Sequence, residues 1–287
     1  MTSAILIGFQ YNSNILPGAI IDLYHAYRWC NTFCKEIYIF TDVISVYDHK
    51  VIDHAIELKI VDEQILHFID DVPKINVQNR LDLLNGIASV LMTSFEKLVI
   101  YYSGHGVSNA FVMPNNEILP SLEFRDSILN SLQPTCEIFW ILDCCCPNGL
   151  NLPFTLRDKI FRMTKEFSCV IQPIILITSS ITSEKSFATR LDSLFTRYLF
   201  KILIDMNNLN KIKVNSSDIY IPLYNNRNLS RLIRTIMNRI NQQHSDTKQQ
   251  VSIYSSYQID PVLWLWIGSN RPYDISMNLS LSTFVIR

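Results

Sequence analysis

Of the six histidines in this 287-residue chain, only His105 stands between two glycines just past an apolar run. The run covers residues 97–102, and the turn after it reads Ser103-Gly104-His105-Gly106. Glycines on both sides of an imidazole allow a sharp backbone turn and close approach of another group. About forty residues later a second apolar run, 137–142, ends in Asp143-Cys144-Cys145-Cys146. If the two runs are neighbouring strands, a thiol comes to stand beside an imidazole. That pairing generates a thiolate nucleophile near neutral pH. The residue types alone leave open which of these cysteines attacks. A buried structural cysteine run beside a turn histidine would be written the same way.

The elements that must hold these turns alternate along the chain. Short apolar runs at 4–9, 36–40, 97–102, 137–142 and 170–177 read as strands. Helical spacing falls between and after them, at 19–32, 77–94, 119–132 and 187–206. Pro17-Gly18 opens the first helix, and Ser121 is the candidate cap of the third. The second should bury Leu81, Leu84, Ile87, Ala88 and Leu91 on one face. Strands that are nearly continuous apolar runs, separated by helices, indicate a mostly parallel sheet covered on both faces. In such sheets sites gather at the carboxyl ends of the strands. The polar residues there are Gln10, Asp42, the 103–106 turn, the 143–146 run and Thr178-Ser179-Ser180.

Composition sets the bounds. Apolar residues make up 48% and charged residues 18%, enough for a large core and against wholesale disorder. A net charge of −1 gives no footprint for nucleic acid. No run reaches the ~18 apolar residues of a membrane span. The apolar start at 1–9 has no basic segment before it and reads as a buried strand, not a signal peptide. Seven cysteines in a chain of this length suggest free thiols in a reducing, cytoplasmic setting.

Tyr101-Tyr102-Ser103-Gly104-His105-Gly106 resembles the Y-S-G-H-G motif of the caspase-like cysteine peptidases. Ile141-Leu142-Asp143-Cys144-Cys145 resembles their D-x-C motif, most of all that of metacaspases and paracaspases. Leu16-Pro17-Gly18-Ala19-Ile20-Ile21-Asp22 is similar to the metacaspase segment L-x-G-C-x-x-D. Leu194-Phe195-Thr196 looks like the turn before the long helix of the small subunit. The resemblance covers about residues 1–205. It implies a caspase-like α/β sandwich: a mostly parallel central sheet of about six strands with helices on both faces. The large-subunit-like part would be about 1–146 and the small-subunit-like part about 170–205. Residues 206–287 would be an extension packed on the same domain.

The resemblance also implies roles. His105 matches the catalytic base, and Cys145, two residues after the Asp, matches the nucleophile. The backbone N–H groups of Gly106 and Cys145 would form the oxyanion hole. Asp22, Ser103 and Asp143 match the metacaspase pocket for the residue before the scissile bond. Two carboxylates there repel each other when the pocket is empty, and a guanidinium or ammonium relieves this. The expected activity is therefore cysteine-type endopeptidase cleavage after Arg or Lys in protein or peptide substrates, with no cofactor and no catalytic metal. The alternative is a caspase-fold pseudo-protease that binds without cutting.

Two departures bear on this. The loop after the nucleophile reads Cys146-Pro147-Asn148-Gly149 in place of the metacaspase H-S-G, and Ala19 replaces the pocket Cys. The stretch 107–120 holds one acid, Glu117, which argues against a calcium requirement, since calcium takes six to eight oxygens. Cys30, Cys34, Cys136 and Cys169 lack the spacing of a zinc site. The segment 147–172 lies where caspases are cut into subunits, and it holds Arg157, Lys159, Arg162 and Lys165. Arg227, Arg231 and Arg234 share a helical face that reads as solvated, and 261–267, with Trp264 and Trp266, as a strand or packing segment against the main sheet.

Overall fold

The computed structural model describes residues 1–43, 48–145, 149–157, 160–181, 186, 188–213, 222–223, 226–243, 249–257 and 265–266. In chain order the elements are β1 (Thr2–Gly8), α1 (Ala19–Cys30), β2 (Glu36–Thr41), α2 (His49–Glu57), α3 (Gln64–Asp71), β3 (Ile75–Asn76), α4 (Arg80–Val90) and β4 (Lys97–Ser103). There follow β5 (Gly106–Val107), β6 (Ala110–Val112), β7 (Ile118–Pro120), α5 (Ser121–Leu129), β8 (Glu137–Asp143), β9 (Phe154–Arg157), β10 (Ile160–Met163) and β11 (Ile174–Thr178). The chain continues with α6 (Leu194–Lys213), β12 (Pro222–Leu223), α7 (Asn226–Gln243), β13 (Ser252–Ser255) and β14 (Leu265–Trp266).

The main sheet runs β10-β9-β13-β11-β8-β4-β1-β2-β3. From β11 to β3 every pairing is parallel, so the five runs read as strands form the centre, joined by the two-residue β3, which the sequence reading did not include; the total of six parallel strands agrees with the resemblance. Three antiparallel strands, β13, β9 and β10, extend it to nine. Alternate residues of each strand serve opposite faces. In β1, Ala4 and Leu6 belong to the core layer that also holds residues of α1, α2, α3, α6 and α7, while Ile5 and Ile7 belong to the layer that holds residues of α4 and α5. Burial on both faces is why these strands are written as unbroken apolar runs.

Several boundaries differ from the sequence reading, each for a local reason. In α4 the buried stripe is Leu83, Ile87 and Val90, and Leu81 is 65% exposed. Gly86 lies at the edge of this face, where a Cβ would stand 2.7 Å from the Phe40 ring. A glycine leaves no apolar mark in the periodicity. Asn79 caps α4, its side chain accepting the Asp82 N–H. Ser121 is the first residue of α5 and not its cap; Pro120 holds that position and makes no side-chain cap bond. The fifth run begins its strand at Ile174, just after Pro173, which has no N–H to donate. The helix read at 187–206 is α6 and starts at Leu194, because Thr189 Oγ1 accepts the N–H groups of Leu191 and Asp192 and holds that segment in a turn.

The region 147–172 contains the β9–β10 hairpin, which adds to β13. Arg227, Arg231 and Arg234 fall on α7, and Arg234 is exposed. Trp266 belongs to β14, which pairs with β12 in a separate two-stranded sheet and not with the main sheet; Trp264 is outside the described residues. No helix among the described residues is long and apolar enough to cross a membrane.

Candidate active site

Register sets the row on which the site is built. Gly8 of β1 is level with Ser103 of β4, and Ser103 with Asp143 of β8. The turns after these three strands therefore open side by side at the carboxyl edge of the sheet. A cavity of about 150 Å³ lies there, lined by Asp22, Ser103, His105, Asp143, Cys145 and Asp192 among others. That is room for a side chain, against ~30 Å³ for one water in the liquid.

All five side chains nominated from the sequence thus meet at one cavity. Gly106 does not line it but lies behind. A Cβ on Gly106 would stand 2.3 Å from the Cys145 carbonyl oxygen, and one on Gly104 would stand 2.6 Å from the Tyr11 hydroxyl. Neither glycine has a left-handed backbone. They are needed for close approach, and what approaches is the backbone around His105, not its ring. Cys144 and Cys145 both line the cavity, but Cys144 is buried and belongs to the core layer of α4 and α5, whereas Cys145 is half-buried. Cys146 lies outside the described residues.

His105 Nε2 is 2.5 Å from the Asn14 carbonyl oxygen. A carbonyl only accepts, so Nε2 carries the proton and Nδ1 is the basic nitrogen of the neutral ring. The Cys145 thiol donates to the Ser186 carbonyl at 3.9 Å.

The floor is acidic. Asp22, one turn into α1, accepts from Ser103 Oγ at 2.9 Å and from the Ser193 N–H at 2.8 Å. Asp143 accepts from Ser186 Oγ at 2.8 Å and from Thr196 Oγ1 at 2.5 Å. Since Thr196 donates to a carboxylate, the Tyr101 hydroxyl 2.7 Å away must donate to Thr196. Burial raises the Asp22 carboxyl well above the ordinary range, and the charges of Asp143 and Asp192 raise it further. Burial raises Asp143 as well, although hydroxyl donors oppose it.

Asp192 was not marked by any motif. It takes a two-pronged contact from Arg197, with Nε at 2.7 Å, and His25 Nε2 lies 3.6 Å away. Burial works against its charge, but His25 and Arg197 prevail and hold its carboxyl below the usual range. Ser186 and Ser193 were also missed, as isolated serines carry no pattern. Thr196 was legible only as part of the Leu194-Phe195-Thr196 resemblance.

The remaining cysteines sit elsewhere. Cys30 is buried at the end of α1 against Cys34, and burial with that neighbour raises its thiol well above the ordinary range. Burial pushes Cys136 up to about 12. Cys169 is exposed. Glu117, the lone acid after His105, accepts the Arg80 backbone N–H at 3.1 Å.

A parallel sheet with helices on both faces, an antiparallel flank, and a His turn and a Cys turn at adjacent strand ends define a caspase-like fold. Among solved structures the chain is similar to caspase-1 from Spodoptera frugiperda, at 10% identity over 89% of this chain and 86% of that one, with a TM-score of 0.52. At that identity the likeness establishes the fold. No protein-family model and no curated protein matches the sequence.

Proposed function

We propose that the protein is a cysteine endopeptidase of metacaspase type, cleaving after Arg or Lys. The observation that carries this is one cavity edged by Cys145 and His105 and floored by Asp22 and Asp143. His105 Nδ1 takes the Cys145 proton, and the thiolate attacks the scissile carbonyl. The tetrahedral oxyanion is received by the N–H groups of Cys145 and Gly106, donors typically worth ~3–4 kcal/mol each. The imidazolium protonates the leaving amine, and water then releases the acid from the thioester. The two carboxylates, with Ser103 between Asp22 and the strand end, receive the guanidinium or ammonium of the preceding residue.

A binding-only reading has one observation in its favour, the direction of the Cys145 thiol toward Ser186. Fluorogenic Arg, Lys and Asp peptides, given to wild type and to Cys145→Ala, separate the two. Turnover of Arg or Lys peptides that vanishes in Cys145→Ala is expected. Binding of basic peptides without turnover would replace the peptidase with the binding protein. Cleavage after Asp would overturn the pocket assignment.

A further inference from the structure

We infer that Tyr11, held by Asp42, is a positioning residue for His105; this rests on reading His105 as the base for Cys145. Tyr11 reaches the histidine from two directions. Its hydroxyl accepts the His105 backbone N–H at 2.7 Å and donates to the Val112 carbonyl at 3.0 Å, which pins the histidine turn to β6. Its ring lies against the imidazole, with centroids 4.5 Å apart and planes inclined by 36°. The same loop supplies the Asn14 carbonyl on Nε2. Residues 10–16 therefore hold His105 at its backbone, at its ring and at one nitrogen.

That loop needs a constraint of its own. Tyr11 has φ +65° and Asn14 φ +53°, a region few non-glycine residues occupy. Asp42 supplies the constraint from the end of β2. Its two carboxylate oxygens accept the N–H groups of Gln10 and Tyr11, each at 2.7 Å. The Leu16 N–H then closes the loop onto the Gln10 carbonyl at 2.8 Å. The titratable groups around this assembly are Tyr102, with its hydroxyl 3.3 Å from that of Tyr11, together with Asp42, Cys144 and Cys145. Burial raises the Tyr11 hydroxyl far above its ordinary range, so it remains a neutral donor and acceptor at any working pH.

The chain of contacts runs from Asp42 through the loop backbone to Tyr11, and from Tyr11 to His105. None of these groups needs to touch substrate. Their loss should therefore appear in kcat before KM.

The test uses the full chain and compares wild type, Tyr11→Phe, Asp42→Ala, Asp42→Asn and His105→Ala. Tyr11→Phe keeps the ring and removes the hydroxyl. Two quantities are read: kcat and KM on an Arg peptide, and the rate of Cys145 alkylation by iodoacetamide at pH 7 relative to pH 9.5. Cys145→Ala supplies the background from other thiols. Tyr11→Phe should lower kcat ~10–100-fold, the scale of a small misplacement of a reacting group, with KM changed less than ~3-fold. It should also move the alkylation ratio toward that of His105→Ala. Asp42→Ala should do the same, and Asp42→Asn, which keeps one acceptor, should fall between.

Wild-type kcat and ratio in Tyr11→Phe would overturn the inference while His105→Ala still shifts the ratio and the dyad stands. A fall in kcat that merely tracks lost thermal stability, with the ratio unmoved, would overturn it too. A ratio unchanged in His105→Ala would sink the dyad and the inference together.

Discussion

Cys145 and Cys144 are adjacent and both reach the cavity wall, but Cys145 is half-buried there while Cys144 is buried in the core packing. Cys144→Ala should therefore keep most turnover and lose some thermal stability, and Cys145→Ala should lose turnover alone. Activity assays beside thermal melts decide it, and a dead Cys144→Ala with an active Cys145→Ala would reverse the assignment. Asp22 and Asp143 carry the second expectation. Each should be worth roughly 10–100-fold in kcat/KM for an Arg peptide, the loss of one charge-assisted contact, when changed to Asn. Their effect on stability has the opposite sign. Both carboxyls are raised in the folded chain, so folding holds their protons more tightly than unfolding does. That contribution favours the fold at acid pH and is lost as pH rises from the unfolded carboxyl range through the folded value. Asp22→Asn should thus raise Tm at pH 8 and raise it less at pH 4. A Tm lowered at pH 8, with no recovery toward pH 4, would mean that the carboxylate is stabilised where it stands.

At the scale of elements, the segment between β11 and α6 deserves the next test, because it closes the cavity with Ser186, Asp192 and Ser193. It is tied to α6 through the contact between Asp192 and Arg197. Replacing Arg197 with Met would remove the two-pronged contact that fixes Asp192 in place and leave it with His25, 3.6 Å away. The Ser193 N–H, which binds Asp22, would lose its anchor. KM for an Arg peptide should rise about tenfold, the cost of roughly one charge-assisted hydrogen bond, with kcat changed much less. Peptide kinetics would show it, and a loss confined to kcat would place Arg197 nearer the chemistry. This segment also shows what the sequence could carry. The strands that bring His105 and Cys145 together were legible, because burial on both faces writes them as apolar runs. Asp22 and Ser103 were legible through motifs at fixed offsets. The clamp of Asp192 by Arg197 and His25 was not, since its members are far apart or unpatterned in sequence and meet only after α1 and α6 pack. Tyr11 and Asn14 were hidden for a similar reason: an irregular loop has no period. Asp42 stood out as a polar strand end, but not its two backbone partners. The β9–β10 hairpin was read only as a linker rich in basic residues.

For the whole molecule, the question is what a cut in that linker would do. Arg157 and Arg162 lie in the β9–β10 ladder, opposite Ile160 and Thr155. A bond inside a paired strand is presented to a peptidase only after local opening. Lys165 is placed differently. Thr164 and Ser168 are tied back to the carbonyls of Pro153 and Asn151, and the exposed residues 165–167 project between them. Among the described basic residues of the linker, Lys165 is therefore the one open to a protease without prior unfolding. A cut after it divides the chain between β10 and β11, yet the main sheet crosses the break twice. Residues 138–142 of β8 pair with 174–178 of β11, and Phe154 and Thr155 of β9 pair with Ser255 and Tyr254 of β13. The apolar layers on both faces also draw on both sides of the cut. Brief digestion with trypsin should give two fragments on a denaturing gel, with a new N-terminus at Glu166. The same sample should elute as a single species, unchanged in size, from a native sizing column. First cleavage at Arg157 or Arg162 would show that the hairpin is not held as a ladder. Separation of the halves without denaturant would show that β11 and β13 do not bind the two parts into one sheet.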